Sequence, residues 1–269
     1  KPAYQRYILW ISKIVTRFDF GYSYAWQKPV ADVIRSRMGY TFALAVFSVV
    51  FTWAVSIPIG VFVAVRQYSI ADYIVTFIAF IGMAVPAFLL AMLAMYIAYT
   101  KFGIKVGGLF SPEYQLEPWS MAKLKDMLGH IWLPIFLLGI GGTAGTIRTM
   151  RAMMLDELRR QYVTVARAKG LSELQVLLRY PLRLAINPMI SGLMWLLPWL
   201  FSGGTLVEIV LNLPTAGPAL YRSLMGQDMA VAGAYIVIIG ALTVVSGIMS
   251  DILLAASDPR IRFGRVGSA

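Results

Sequence analysis

MGYTFALAVFSVVFTWAVSIPIGVFVAV, residues Met38–Val65, runs for 28 positions without an Asp, Glu, Lys or Arg. About 20 apolar residues, rising roughly 1.5 Å each in a helix, cross the hydrocarbon core of a bilayer, so this stretch predicts a membrane span. Four further windows lack those four residue types: Tyr73–Thr100, Met127–Ile147, Leu184–Val207 and Met229–Ser250. In lipid the backbone must satisfy its own polar groups, as a helix or a closed barrel, and none of the windows shows the short period-two alternation of barrel strands. The fold expected is therefore an all-α membrane protein with five spans in this chain. Pro58, Pro86 and Pro198 fall inside the windows, with Gly60, Gly82, Gly139, Gly142 and Gly240. Such residues bend membrane helices and let backbones approach, which leaves room for a substrate path.

Composition narrows the function. Hydrophobic residues make up 59% of the 269 and charged residues only 14%, against roughly 25% charged in an ordinary soluble domain. The formal charge of +11 could signal nucleic acid on a soluble basic face; here the basic residues fall between apolar windows, as headgroup contact and topology require. With zero cysteines there is no disulfide framework or thiolate site, and the redox compartment stays open. His130 is the one histidine, with Asp126 its one nearby carboxylate, too few ligands for a metal cluster. No nucleophile–base constellation and no phosphate-cradling glycine–lysine motif occurs, so neither catalysis nor nucleotide binding is expected of the chain itself.

Charge also sets orientation. The connection Arg148–Arg183 carries eight basic and three acidic residues, and connections of that kind stay cytoplasmic. Alternating spans put the Arg66–Asp72 link on the same side, together with the tail 257–269 and its Arg260, Arg262 and Arg265 against Asp258. Residues 38–256 are then the membrane domain and residues 1–37 an extracytoplasmic segment. That segment holds seven basic and two acidic residues, and its export implies a sixth span upstream of Lys1. Within it Tyr7, Ile8, Ile11, Ile14, Val15 and Phe18 recur near helical spacing, predicting an amphipathic helix against the membrane or the bundle. The external connection Lys101–Asp126 reads as a loop or a short interfacial helix.

The basic connection is longer than topology needs. Good helix formers fill Met153–Ala168, Gly170 interrupts them, and Ser172 with Glu173 and Gln175 starts a second short helix through Leu178. Tyr162, Val163, Val165, Leu171, Val176 and Leu177 need something to bury against. The stretch YVTVARAKGLSELQVLLRYPLRLAINP, Tyr162–Pro188, resembles the cytoplasmic coupling motif of ATP-binding-cassette importer permeases of the oligopeptide, dipeptide and nickel group. RFDFGYS at Arg17–Ser23 resembles the segment after that family's first membrane helix, VGGLFSPEY at Val106–Tyr114 its external loop, and SDPRIRFG at Ser257–Gly264 its C-terminal signature.

The resemblance implies a type I importer transmembrane domain of six helices in a bacterial inner membrane. It implies a homologous second permease subunit, two ATPase subunits that hold ATP and magnesium, an extracytoplasmic solute-binding protein and surrounding lipid; no cofactor bound by this chain is implied. By similarity Thr164–Gly170 forms the heart of the coupling helix. Ala166 and Gly170 permit close approach to the ATPase groove, Arg167 and Lys169 meet its polar rim, and Glu173 and Arg179 brace the turn. The wider motif opens on glutamate where this chain has Thr164, a feature of the peptide and nickel group, and its closing leucine–proline reads Leu182–Arg183 here. A proline–glycine–leucine–glycine stretch common in the family reads Pro214, Thr215, Ala216, Gly217.

For cargo the family implies a peptide or peptide-like solute, with nickel complexes, glutathione and sugar or opine conjugates as alternatives; an ATP-independent carrier is the other class. Residues on the path are placed by position. Glu208 follows the fifth window and is expected either to pair with Arg222 or to meet a cationic cargo group. Trp195 and Trp199, four apart, share a helix face for packing, interface anchoring or lining the route.

Overall fold

The computed structural model describes residues 2–103, 106–202 and 204–257. The expected C-terminal signature, beyond Ser257, and most of the tail lie outside the described residues. An amphipathic α1, Ala3–Arg17, stops at Phe18 in the left-handed region. Asp19 then accepts from the Gly21 N–H at 2.9 Å, and a two-residue hairpin, β1 Tyr22–Ser23 on β2 Lys28–Pro29, leads into α2, Val30–Val65. Ser23 hydroxyl donates to Asp228, clipping the hairpin to the far end of the chain.

Two long helices form the centre. Helix α2 and α5, Met121–Leu158, pack along much of their lengths, because small and hydroxyl residues occupy the seam. Thr52 donates to the Gly139 carbonyl at 2.9 Å and Ser56 to the Thr143 carbonyl at 3.2 Å. A Cβ at Gly60 would stand 2.6 Å from Met150 Cβ, and one at Gly139 would stand 2.5 Å from Phe51 Cδ1. Contacts this close supply the dispersion energy that holds helices together where apolar burial alone gives no driving force.

Between them, α3, Ile70–Ala84, and α4, Ala87–Phe102, meet at a 94° bend. The window Tyr73–Thr100, expected as one helix, is thus broken. Pro86 has no N–H to donate and forces the preceding residue out of the α region; Val85 is accordingly extended, with ψ 122°. Among the described residues three helices are long and apolar enough to cross a membrane, α2, α5 and α12, Met229–Ser257, or four if the bent pair counts as one. The window Leu184–Val207 is divided among α8, Pro181–Ala185, α9, Asn187–Ser202, and α10, Thr205–Val210. No single helix there is long enough to cross.

Helix α9 lies along α12, held by Ser250, whose hydroxyl donates to the Ile190 carbonyl at 2.9 Å. Helix α11, Ala216–Met225, closes the opposite end, its first N–H donating to Thr41 Oγ1 of α2 at 2.9 Å. The connection between α4 and α5 is a packed loop with a 3-10 turn at Pro112–Tyr114. Leu109 and Phe110 are buried, and Asp126 accepts from Ser111 N–H and hydroxyl at 2.8 and 2.7 Å. His130 bonds the Asp126 carbonyl at 2.7 Å. Phe47, Val50, Val244, Ile248 and Ile252 stay exposed on α2 and α12, as on helices meant for an apolar surrounding.

Candidate functional site

At the end of α5 the chain turns abruptly. Arg160 adopts an extended conformation and α6, Gln161–Ala168, begins, so Met153–Ala168 is not one helix. No glycine or proline marks this break; burial decides it, because only a turned α6 can place Val163 and Ala166 against Val176 of α7, Glu173–Arg179. Tertiary packing here overrides helix propensity. Gly170 makes the reversal at φ 79°, a conformation that costs a side-chain-bearing residue about 1–2 kcal/mol. Ser172 opens α7 with a capping box in which Gln175 Oε1 accepts from the Ser172 N–H at 3.3 Å, satisfying donors the first turn leaves free.

The turn is braced by charge. Arg167 donates to Glu173 through Nε at 3.0 Å and Nη2 at 2.6 Å, a planar fork on a carboxylate. The bonds from Arg167 hold the Glu173 carboxyl below the usual carboxylate range, and those same bonds raise the guanidinium. Glu173 is thus partnered by Arg167 rather than Arg179, and Arg167 is engaged within the hairpin. Ala166, at 3% exposure, faces inward, so its small side chain brings α6 against α7 and is not on the outer surface. Thr164, Val165, Ala168, Lys169 and Gly170 are exposed, with Leu174 and Leu178 beside them. This arm is an unpaired apolar surface with a basic edge on a rigid turn.

Its root is continuous with the bundle. Met150 and Met154 of α5, Ala185 of α8 and Met189 of α9 form one buried cluster, with Leu177 of α7 and Leu182 packed on it. Met189 also lines a cavity of about 340 Å³ between α2, α5 and α9. The lining carries four hydroxyls, Ser48, Thr52, Thr146 and Thr149, and two indoles, Trp53 and Trp199. Ser48 Oγ is buried without a hydrogen-bond partner among the described residues. The arrangement ties the α6–α7 hairpin to a chamber whose largely apolar wall carries neutral hydroxyls.

Residues 56–263 match the family described as the binding-protein-dependent transport system inner membrane component. Over 264 residues, 97% of this chain and 81% of the relative, it is 34% identical to the oligopeptide transport system permease protein AppB of Bacillus subtilis. The oligopeptide transport system permease protein OppB of Mycobacterium tuberculosis is 32% identical over 269 residues, covering 97% of this chain and 81% of the relative. The inner membrane ABC transporter permease protein YejB of Escherichia coli O157:H7 is 33% identical over 267 residues, 98% and 73% of the two chains. The chain belongs to this family of inner-membrane transport permeases.

The permease distributes the expected path residues unevenly. Trp199 lines the cavity; Trp195, one turn earlier, is 62% exposed and outside that lining. Glu208 sits apart on α10, fully buried, where Thr215 donates to its Oε2 at 3.0 Å. The expected pairing with Arg222 does not form, because α11 buries Ala216, Gly217, Ala219 and Ser223 while Arg222 points to the exposed side. Gly217 accommodates the carboxyl: a Cβ there would stand 2.5 Å from Glu208 Oε2. Sequence reading missed the hydroxyl lining, although Ser48 and Thr52 recur four residues apart within an apolar window, and Thr146 and Thr149 three apart across the end of another, a spacing that places each pair on one helix face.

Proposed function

We propose that this permease is one half of the membrane path of an ATP-driven importer for peptides or peptide-like solutes, crossing the membrane five times within this chain with Arg148–Arg183 in the cytoplasm. A homologous permease subunit completes the path, two ATPase subunits engage residues 161–179, and a solute-binding protein delivers cargo outside. The observation that carries the reading is the continuity of the arm with the chamber: Leu177 of α7 packs on the buried cluster that Met154 of α5, Ala185 of α8 and Met189 of α9 share, and Met189 is part of the cavity wall. Packed interiors move as discrete units rather than deforming continuously, so an ATPase cleft that displaces α6 and α7 displaces that wall. Thr164, Lys169 and Gly170 form the exposed contact with the ATPase, and the Arg167–Glu173 fork keeps its shape. Peptide cargo is supported by the oligopeptide designation of the Bacillus and Mycobacterium relatives and by a lining without charged side chains, which suits a backbone of amides with variable side chains.

The test is Gly170→Trp in the importer co-purified through a tag on the full-length permease. A bulky residue in the left-handed position, with strain of about 1–2 kcal/mol added to obstruction of the cleft, lowers both ATPase co-purification and uptake of a labelled oligopeptide by about tenfold or more. Unchanged association with ATPase, or uptake by the permease without any ATPase, overturns the proposal.

A further inference from the structure

The face of α5 turned away from the central chamber carries a second, elongated cavity. Its longer part, about 320 Å³, lies between α2, α3 and α5 and is lined by Phe51, Val55, Ile78, Phe136 and Ile140. Its smaller part, about 180 Å³, lies between α3 and the basic stretch of α5 and is lined by Thr76, Phe80, Met83, Arg148 and Arg151. Ala79 and Ile147 line both, so the apolar trough adjoins the basic one.

The two arginines differ in what they have left to offer. Arg151 is committed, donating to Asp72 through Nε at 2.6 Å and Nη2 at 2.7 Å, while Asp72 also accepts from the Tyr68 N–H at 3.0 Å. That pair is neutral as a unit. Arg148 stands over the Phe80 ring at 5.4 Å, and no carboxylate lies within ion-pair distance of it among the described residues. The net charge of the pocket is therefore that of Arg148. A positive headgroup pocket between spanning helices, opening on a trough lined by aliphatic and phenyl groups, has the amphipathic profile of a phospholipid. A soluble anion would leave the apolar part uncovered, and a helix of another subunit would need a carboxylate at one defined height to meet Arg148.

We propose that the groove between α3 and α5 holds an anionic phospholipid of the cytoplasmic leaflet, its phosphate at Arg148 and one acyl chain along Phe51, Val55 and Phe136. Bound there, the lipid packs against α5 opposite the transport chamber. The leaflet rests on the orientation proposed above; the binding itself does not.

Native mass spectrometry of the assembled importer, stripped of lipid and back-titrated with phosphatidylglycerol or phosphatidylethanolamine, tests it. One basic residue near the membrane surface is worth about a fivefold preference for an anionic headgroup, so phosphatidylglycerol is retained about fivefold over phosphatidylethanolamine. Arg148→Gln abolishes that preference with the complex mass unchanged, and Arg148→Lys keeps it. Equal retention of the two lipids, an unaltered preference in Arg148→Gln, displacement of phosphatidylglycerol by inorganic phosphate alone, or a partner-subunit helix cross-linked to Ile78→Cys in the lipid's place each overturns the proposal. Retention is read independently of which leaflet the groove faces, so a wrong orientation shows up separately, in thiol labelling.

Discussion

Arg167 and Glu173 show how little energy a shaped surface needs. Both are about half exposed, so their fork contributes at most about 1 kcal/mol, yet it sets the angle of the turn at Gly170. Because the folded-state carboxyl lies below the ordinary glutamate range, this contribution is full above that range and fades as pH falls through the folded value. Glu173→Gln removes it at every pH. Amide hydrogen exchange over residues 171–176 at neutral pH is expected to be faster in Glu173→Gln than in the wild type, with the two converging in acid; equal protection at neutral pH would show that the capping box alone fixes the turn. Of these residues the sequence reading marked all, but it faced Ala166 outward. A motif names residues without stating which of them the motif itself buries, and Val176, ten positions later, is what turns Ala166 inside.

At the scale of helices, prolines explain both the successes and the failures of reading windows. Pro58 and Pro134 lie inside unbroken helices and Pro86 ends one, though each sits in an apolar run. What distinguishes Pro58 is its setting: Ser56 bonds α5 two residues before it and Gly60 presses on Met150 two residues after, so the neighbouring helix holds the backbone in line. Hydropathy located the apolar centres of α2, α5 and α12, although each helix runs past the charges that bound its window; it could not see the bend at Val85, which depends on what lies alongside. The α2–α5 seam gives a direct test. Gly60→Ala puts a methyl 2.6 Å from Met150 Cβ and is expected to lower stability by about 1–3 kcal/mol, measured by denaturant unfolding in detergent. Gly129→Ala, on α5 with no atom within 4 Å of the added Cβ, is the neutral or stabilising control.

The whole molecule is asymmetric across the membrane. One end gathers α6, α7 and the Asp72–Arg151 pair; the other gathers the packed loop 106–120, α10 and α11. The absence of cysteine among residues 1–269 makes this orientation easy to read, since any thiol introduced there is the sole one in that stretch. Ala168→Cys is expected to react with a membrane-impermeant maleimide only in inside-out vesicles, and Glu113→Cys only in intact spheroplasts. Labelling of both from one side would reverse or break the proposed alternation. The hairpin at residues 161–179 differs from the rest in one more respect. Its core of Val163, Ala166 and Val176, its fork and its capping box are all supplied from within that short span, whereas α2 depends on α5 residues 87 positions away. Structure built from near neighbours forms fastest, so the arm can take its final shape while the apolar segment behind it is still emerging from the ribosome. An ATPase subunit could then find the proposed docking surface on a permease that has not finished being made.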